Sequence, residues 1–547
     1  MTHPINNSRP LKSQKQGPAS LRGIGALLVI LFFCQLAVLC YFNLTQLRNH
    51  MGYDSSWNYL RAALMWREKA LTSPIWGELS NLNLDTHLIL ISLLYGITGN
   101  LLLSYGLGNI AIVLLLLWVL WKILVRLGVR FHARMVGLNL MICPYLSSGF
   151  YLFNDLGYFS NVLSGASFYS LRMLIALMVM YEFLKIIQDQ KFGWLVWIIW
   201  PLCMLSGYSS GVYLIVVLLA PYLAYELEMA TIQNSWKQLI RKESVFAYLC
   251  CLAVLVGKLF GFNALDNTFT WTSLQDLWTN FGAVIQGFMK LMQALPVLAD
   301  DKPLMSIAGL ARVFILVIFA LMAVSIGFLL RRVGKEWEHS RALLFFVNLL
   351  LVNFLIFGLF NAQYGTEIFE ERYLLVAFFA AIILTALFFN ELDSQRILSL
   401  MLSLAMTGAL LMVDVQSDYN YLRTTNDAWP LAEIQSLAEE YDAGIVYCWG
   451  YDLNVIRRVM RACDLNRVYK EIPDEGGYYT HWDDYYYFDT NAEYTGPTLL
   501  LCPADQQLVP EETLAKFTWV GKLEYSLFDQ PGQIDVYTSD HNPTLWD

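Results

Sequence analysis

Residues 24–44, IGALLVILFFCQLAVLCYFNL, followed at 52–60 by GYDSSWNYL, decide how this chain folds. The first stretch carries no charge and is as long as the roughly 20 apolar residues that cross a hydrocarbon core of about 30 Å. It lacks a small-residue cleavage site just after it, so it is expected to stay as an anchor. The second stretch emerges beside it with Asp54 in its middle, and the run from Trp57 to Leu71 has helical spacing. A carboxylate held at the membrane surface can meet a lipid-borne and a water-borne substrate together. That placement suits group transfer from a membrane lipid.

Working outward, the whole chain has the same character. Of its 547 residues 57% are hydrophobic and 15% charged, where soluble domains carry about a quarter. Eleven apolar runs read as spans: 24–44, 101–120, 135–153, 168–187, 192–205, 211–227, 245–262, 304–330, 342–360, 373–389 and 397–415. Leu88 to Ile97 is apolar but too short to span, and reads as a re-entrant or interfacial piece. The fold class expected is a mainly α polytopic membrane protein of about 11 transmembrane helices, with a C-terminal α/β domain.

Cytoplasmic loops are enriched in Lys and Arg. With the N-terminal tail 1–23 inside, the inner segments hold Arg9, Lys12, Lys15 and Arg22, then Lys122, Arg126, Arg130 and Arg134, then Lys237, Arg241 and Lys242, then Arg331, Arg332 and Lys335. The transmembrane domain is then 24–415, with outer loops 45–100, 154–167, 263–303 and 361–372. The tail 416–547 reads as a separate extracytoplasmic unit. Turn signals at Pro430, Gly476-Gly477, Gly496-Pro497 and Pro531-Gly532 divide it into alternating helices and strands, among them a helix over 432–441 and strands over 444–449, 468–472, 485–488 and 498–502. The tail holds 8 basic and 23 acidic residues, net −15, which disfavours anionic polymers. No basic patch interleaved with aromatics occurs, so nucleic acid is not expected as a partner. The nine cysteines show no metal-ligand spacing. One disulfide among Cys448, Cys463 and Cys502 stays open.

The order of these features resembles the GT-C superfamily of polytopic glycosyltransferases, which take sugars from polyprenyl-phosphate donors, and within it the bacterial protein O-mannosyltransferase and aminoarabinose transferase types. The likeness covers nearly the whole membrane region. In that superfamily an acidic residue follows the first span, and Gly52-Tyr53-Asp54 with Trp57 and Tyr59 is similar to that motif. Asp85-Thr86-His87-Leu88 precedes the second span as the family's short apolar stretch does. Phe153-Asn154-Asp155-Leu156 supplies a carboxylate in the second outer loop. Glu370-Glu371-Arg372-Tyr373 resembles the Arg-Tyr pair that opens a late span. The pattern departs in lacking the proline that usually follows that pair and in having a single first-loop acid.

The resemblance implies Asp54 and Asp155 as catalytic carboxylates, Arg372 and Tyr373 as binders of the donor phosphate, and Tyr53, Trp57, Asp85, His87 and Glu371 as candidate acceptor or sugar contacts. Arg372 suits a phosphate because a guanidinium offers a planar fork of donors and stays charged. Arg172, Lys258 and Arg312, near outer span ends, are alternatives for that role or simply snorkel. Structural readings stand beside each. Asp54 near a helix start caps it, Asp155 solvates a loop, Arg372 pairs with neighbouring glutamates, and His87 beside Asp85 is structural.

The aromatic run Tyr478 to Phe488 invites a sugar-stacking reading or fills a core. Asp300-Asp301 and Asp483-Asp484 lack the spaced oxygen ligands of a dedicated cation site, so no cofactor or metal is expected. The implied activity is inverting transfer of a sugar from a polyprenyl-phosphate donor to an extracytoplasmic glycan, lipid or protein acceptor, in a bacterial plasma membrane. A lipid-linked glycan polymerase or ligase is the alternative, and a transporter a more distant one.

Overall fold

The computed structural model describes residues 19–50, 53–72, 82–146, 157–164, 167–261, 270–295, 303, 305–336, 341–361, 371–392, 396–424, 430–449, 451–472, 494–504, 509–527 and 530–543. The first apolar run becomes helix α1 (Ala19–Thr45), and the run behind Asp54 becomes α2 (Tyr53–Glu68). The short apolar stretch forms α3 (Leu88–Thr98), which turns directly into α4 (Leu101–Arg126). The turn is encoded locally. Gly99 adopts the left-handed conformation that ends α3, with φ 64° and its N–H donated to Tyr95, and the Asn100 side chain then caps α4 by accepting from the Leu103 N–H at 3.0 Å.

Eight helices are long and apolar enough to cross a membrane among the described residues: Arg22–Thr45, Leu101–Arg126, Ile215–Ile232, Lys242–Phe260, Ile307–Arg332, Arg341–Leu359, Glu371–Glu391 and Ile397–Tyr419. Three of the eleven expected runs behave differently. Of the run 135–153, the described residues are helical as far as Ile142, the end of α5 (Phe131–Ile142). Pro144 follows, and the residue before a proline is pushed out of the helical region, so Cys143 is extended at φ −59°, ψ 125°. Buried tyrosine hydroxyls donate to the last carbonyls of α5, Tyr145 to Leu140 and Tyr158 to Met141. The fourth run forms α6 (Ser170–Asp189), which carries Arg172, Glu182, Lys185 and Asp189. The fifth forms α7 (Val196–Ser210), only 15 residues long, with Pro201 inside it.

A π-helical turn (Ile215–Leu219) leads into α8 (Ala220–Ile232), then α9 (Lys242–Phe260). Helices α7 and α9 meet where a Cβ on Gly207 or Gly257 would land on the facing backbone carbonyl of Val254 or Met204, the small-residue contact by which membrane helices approach closely. Helices α10 (Leu277–Leu291), α11 (Ile307–Glu336), α12 (Arg341–Leu359), α13 (Leu375–Glu391) and α14 (Arg396–Thr424) complete the bundle. A two-residue antiparallel ladder of β1 (Thr270–Trp271) and β2 (Phe360–Asn361) ties the segment before α10 to the end of α12. Helix α13 is central, buried from Leu375 through Ala386.

The expected domain boundary at residue 416 falls inside α14, because the helix continues past its apolar stretch to Thr424. Beyond it lie α15 (Leu431–Glu440), β3 (Ile445–Trp449), α16 (Tyr451–Cys463), β4 (Val468–Ile472), β5 (Thr498–Pro503), the single turn α17 (Glu511–Leu514), β6 (Thr518–Leu527) and β7 (Gln530–Ser539). The sheet order is β4-β3-β5-β7-β6, with β4, β3 and β5 parallel and β7 and β6 antiparallel. This small α/β unit packs against the bundle. Helix α16 packs on α2, and one continuous apolar core runs from the bundle into α15, α16 and the sheet. All nine cysteines are free thiols, which removes the disulfide left open among the tail cysteines. The expected strand 485–488 and the aromatic run around it lie outside the described residues, as do Asp300 and Asp301.

Candidate functional site

The turn 82–87, between α2 and α3, is held by the end of α7. The Leu82 N–H donates to the Ser209 carbonyl at 3.1 Å and the Leu84 N–H to Ser209 Oγ at 2.8 Å. This seats Asp85 with no exposed surface. Arg172, in the first turn of α6, grips its carboxylate with two parallel bonds, Nε to Oδ2 at 2.8 Å and Nη2 to Oδ1 at 2.9 Å. Ser206 donates to Oδ2 at 2.9 Å, while Ser209 and Ser210 donate to Oδ1 at 3.0 and 2.9 Å. Five donors commit the carboxylate lone pairs. Such a forked pair is among the strongest charge-assisted arrangements available to a buried carboxylate.

The same guanidinium faces two aromatic rings, with its Cζ 4.7 Å from the centroid of Tyr169 and 5.5 Å from that of Tyr213. Tyr213 lies 6.3 Å from Tyr373, which stacks on Phe357 at 6.0 Å. Tyr373 of the Arg-Tyr pair therefore belongs to an aromatic wall that ends on Arg172. Arg372 and Tyr373 are half-buried in the 3-10 turn Glu371–Leu374 that opens the span, and Glu371 is buried.

His87 sits beside this pair in a chain of amides. Asn109 Nδ2 donates to Asn43 Oδ1 at 2.8 Å, so Asn109 turns its Oδ1 toward His87 Nε2, 2.6 Å away. The ring therefore carries its hydrogen on Nε2, and Nδ1 faces Ser170 Oγ at 3.2 Å. Ser164 also donates to Asn43 Oδ1, at 3.1 Å. Tyr105 meets His87 edge-on and stacks on Tyr59 at 3.6 Å. In this turn, outside the spanning segments, burial pushes the imidazole down to about 4, and the Asn109 hydrogen bond opposes part of that shift.

Asp54 lies in the first turn of α2. Its side chain, with those of Tyr53 and Trp57, lies outside the described part of the structure, as does Asp155 altogether. Behind that turn α2 is buried almost continuously from Asn58 to Met65, against α3, α4 and α16. Asp85 and His87 were expected to touch acceptor or sugar. They have 0% and 2% of their surface exposed, and their polar atoms meet Arg172, Ser206, Ser209 and Ser210 at Asp85 and Asn109 and Ser170 at His87. Arg172 is committed to Asp85 rather than snorkelling. The serines Ser206, Ser209 and Ser210 escaped sequence reading, although three hydroxyls crowded at a helix end were a signal. No family model, no curated protein and no solved structure matches this chain. Among the described residues no group of three or more His, Cys, Asp or Glu could hold a metal ion.

Proposed function

We propose that the protein is a membrane glycosyltransferase that moves a sugar from a polyprenyl-phosphate donor to a hydroxyl acceptor outside the cytoplasm. The observation that carries this reading is the seat of Asp54. It stands in the first turn of α2, a helix clamped between the bundle and α16 and reached directly from the first span. A carboxylate on so rigid a support can be aimed at a reacting centre at the membrane surface. The topology that goes with the reading has eleven crossings, the eight apolar helices together with α5, α6 and α7, and a cytoplasmic N-terminus. It is supported by the pairing of Arg126 at the end of α4 with Asp189 at the end of α6, at 2.8 Å, since both ends then lie on one side.

In the proposed reaction Asp54, assisted by Asp155, accepts the proton of the acceptor hydroxyl as that oxygen bonds to the anomeric carbon. The bond from the anomeric carbon to the phosphate oxygen breaks, its electron pair stays on the lipid phosphate, and the centre inverts. Arg372 neutralises the departing phosphate, an electrostatic contribution that grows where water is excluded. Tyr373 lines the same cleft, and the Asp85–Arg172 pair holds its wall.

The test is transfer of radiolabelled sugar from membrane polyprenyl-phosphate donors to endogenous acceptors, comparing the intact chain with Asp54→Asn at equal abundance. Incorporation is expected to vanish in the variant. An unchanged rate removes Asp54 from the mechanism, and incorporation that is the same in cells lacking the protein removes the transferase reading.

A further inference from the structure

Helix α10, in the segment 263–303 expected as an outer loop, is 15 residues long, short of the roughly 20 that cross a bilayer. Its residues sort onto three sides by helical spacing. Val284, Gly287, Phe288 and Leu291 are buried, with the Phe288 ring against Phe319 of α11, Phe354 of α12 and Phe378 of α13. Trp278 and Ile285, two turns apart, are exposed and apolar, and Leu274 lies one turn ahead of them. Thr279, Gln286 and Lys290 form a separate polar side, where Thr279 and Gln286 are exposed and Lys290 is half-buried. A helix wetted all round has no reason to part its exposed apolar residues from its exposed polar ones. A helix lying in a membrane surface does.

The level of this helix is fixed by the end of α12. Asn280 Nδ2 donates to the carbonyls of Phe357 and Gly358 at 2.9 and 3.0 Å, and the Thr272 N–H donates to that of Leu359 at 2.9 Å. These are terminal carbonyls that a helix leaves without partners of its own. Along α12, Leu351, Leu355 and Leu359 form an exposed stripe, one turn apart, on a helix long and apolar enough to span. The stripe runs into Phe360, whose ring lies 4.1 Å from that of Trp271 across the β1–β2 ladder. Trp271, Leu274 and Trp278 are 73%, 89% and 83% exposed. The patch thus continues the exposed apolar stripe of α12 at the depth where that helix ends, and tryptophan is favoured at that depth.

We propose that the face formed by Trp271, Leu274, Trp278 and Ile285 is sunk in the headgroup–acyl boundary of the bilayer, with phospholipid as its partner. The polar side of α10 then faces water and its buried side the bundle. Because α10 also packs on the turn Glu371–Leu374, this places the bilayer surface beside Arg372 and Tyr373. The inference rests on the packing of α10 and α12 and does not depend on the transferase reading.

The experiment uses the full chain in nanodiscs of phosphatidylcholine carrying bromine near the headgroup end of the acyl chains, near their tail end, or not at all. The readout is the tryptophan emission of the intact chain minus that of the double variant Trp271→Phe, Trp278→Phe, a conservative pair at exposed positions. Bromine near the headgroup end is expected to remove most of this difference emission, bromine near the tail end less, and aqueous iodide little. The single variants give the two parts separately should the pair not fold. Difference emission quenched by iodide and untouched by bromine places the face in water and overturns the proposal. Quenching by neither, as when a second copy of the chain covers the face, overturns it equally.

Discussion

Replacing Arg172 with methionine removes one half of the buried Arg172–Asp85 ion pair. The side chains of Arg172 and Asp85 are 4% and 0% exposed, so water cannot take over when the guanidinium is lost. Breaking a buried pair from one side costs about 3–5 kcal/mol, because the surviving charge is left uncompensated. Two charge-assisted hydrogen bonds, each contributing about 1.5–3 kcal/mol, give the same scale. The three serine hydroxyls remain, which puts Arg172→Met at the lower end of that range. Adding Asp85→Asn removes the stranded charge while keeping an acceptor for the serines. The double variant is therefore expected to be more stable than the sum of the single effects by about 1–3 kcal/mol, the size of coupling found between contacting residues. Equilibrium unfolding in mixed micelles, run as a double-mutant cycle, measures this. A single variant within about 1 kcal/mol of the intact protein, or two effects that simply add, would refute the reasoning.

His87 should make stability depend on pH. Its ordinary value is 6.5 and in the fold it is about 4, so between these the unfolded chain binds more protons. Stability is then full above about 6.5 and falls as pH drops toward 4, by roughly 3 kcal/mol; unfolding measured across this range should flatten in His87→Gln. Gly106 lies where a Cβ would fall on the backbone carbonyl of Asn43, so Gly106→Ala should separate α1 from α4 and cost about 1–3 kcal/mol, read as a lowered unfolding midpoint. The Tyr469 hydroxyl donates to buried Asp464 Oδ2 at 3.0 Å, beside Arg467 at 2.9 Å. Tyr469→Phe should cost about 1–2 kcal/mol, visible as earlier proteolysis of the C-terminal sheet. Because every cysteine is a free thiol, a reducing agent should leave the unfolding midpoint unchanged.

Much of the fold was legible because its signals are local. The runs at 24–44, 342–360 and 373–389 became α1, α12 and α13 almost as drawn, since the cost of exposing backbone to lipid leaves a long apolar segment only one form. The strand 468–472 was placed to the residue, and 444–449 and 498–502 to within one, by β-branched and apolar runs between turns. The exceptions are equally physical. Composition alone carried the third run through to Phe153, but Pro144 stops the helix at Ile142. The tail was cut at residue 416 where hydropathy drops, yet α14 goes on, because backbone hydrogen bonding does not end where apolarity does.

The candidate site divides the same way. Residue types along one helix or loop are enough to mark the Asp54 segment, the Arg-Tyr pair and the apolar stretch before α4, for these depend on neighbours in the chain. No pattern joins Asp85 to Arg172, 87 positions away, or to Ser209, 124 positions away. A carboxylate chooses its partner by what packing brings within about 3 Å, and only the folded bundle sets that distance. Sequence by itself determined that the chain is a helical membrane protein with an α/β end. Tertiary structure decided which of its charges are paired and buried, as Asp85 is with Arg172.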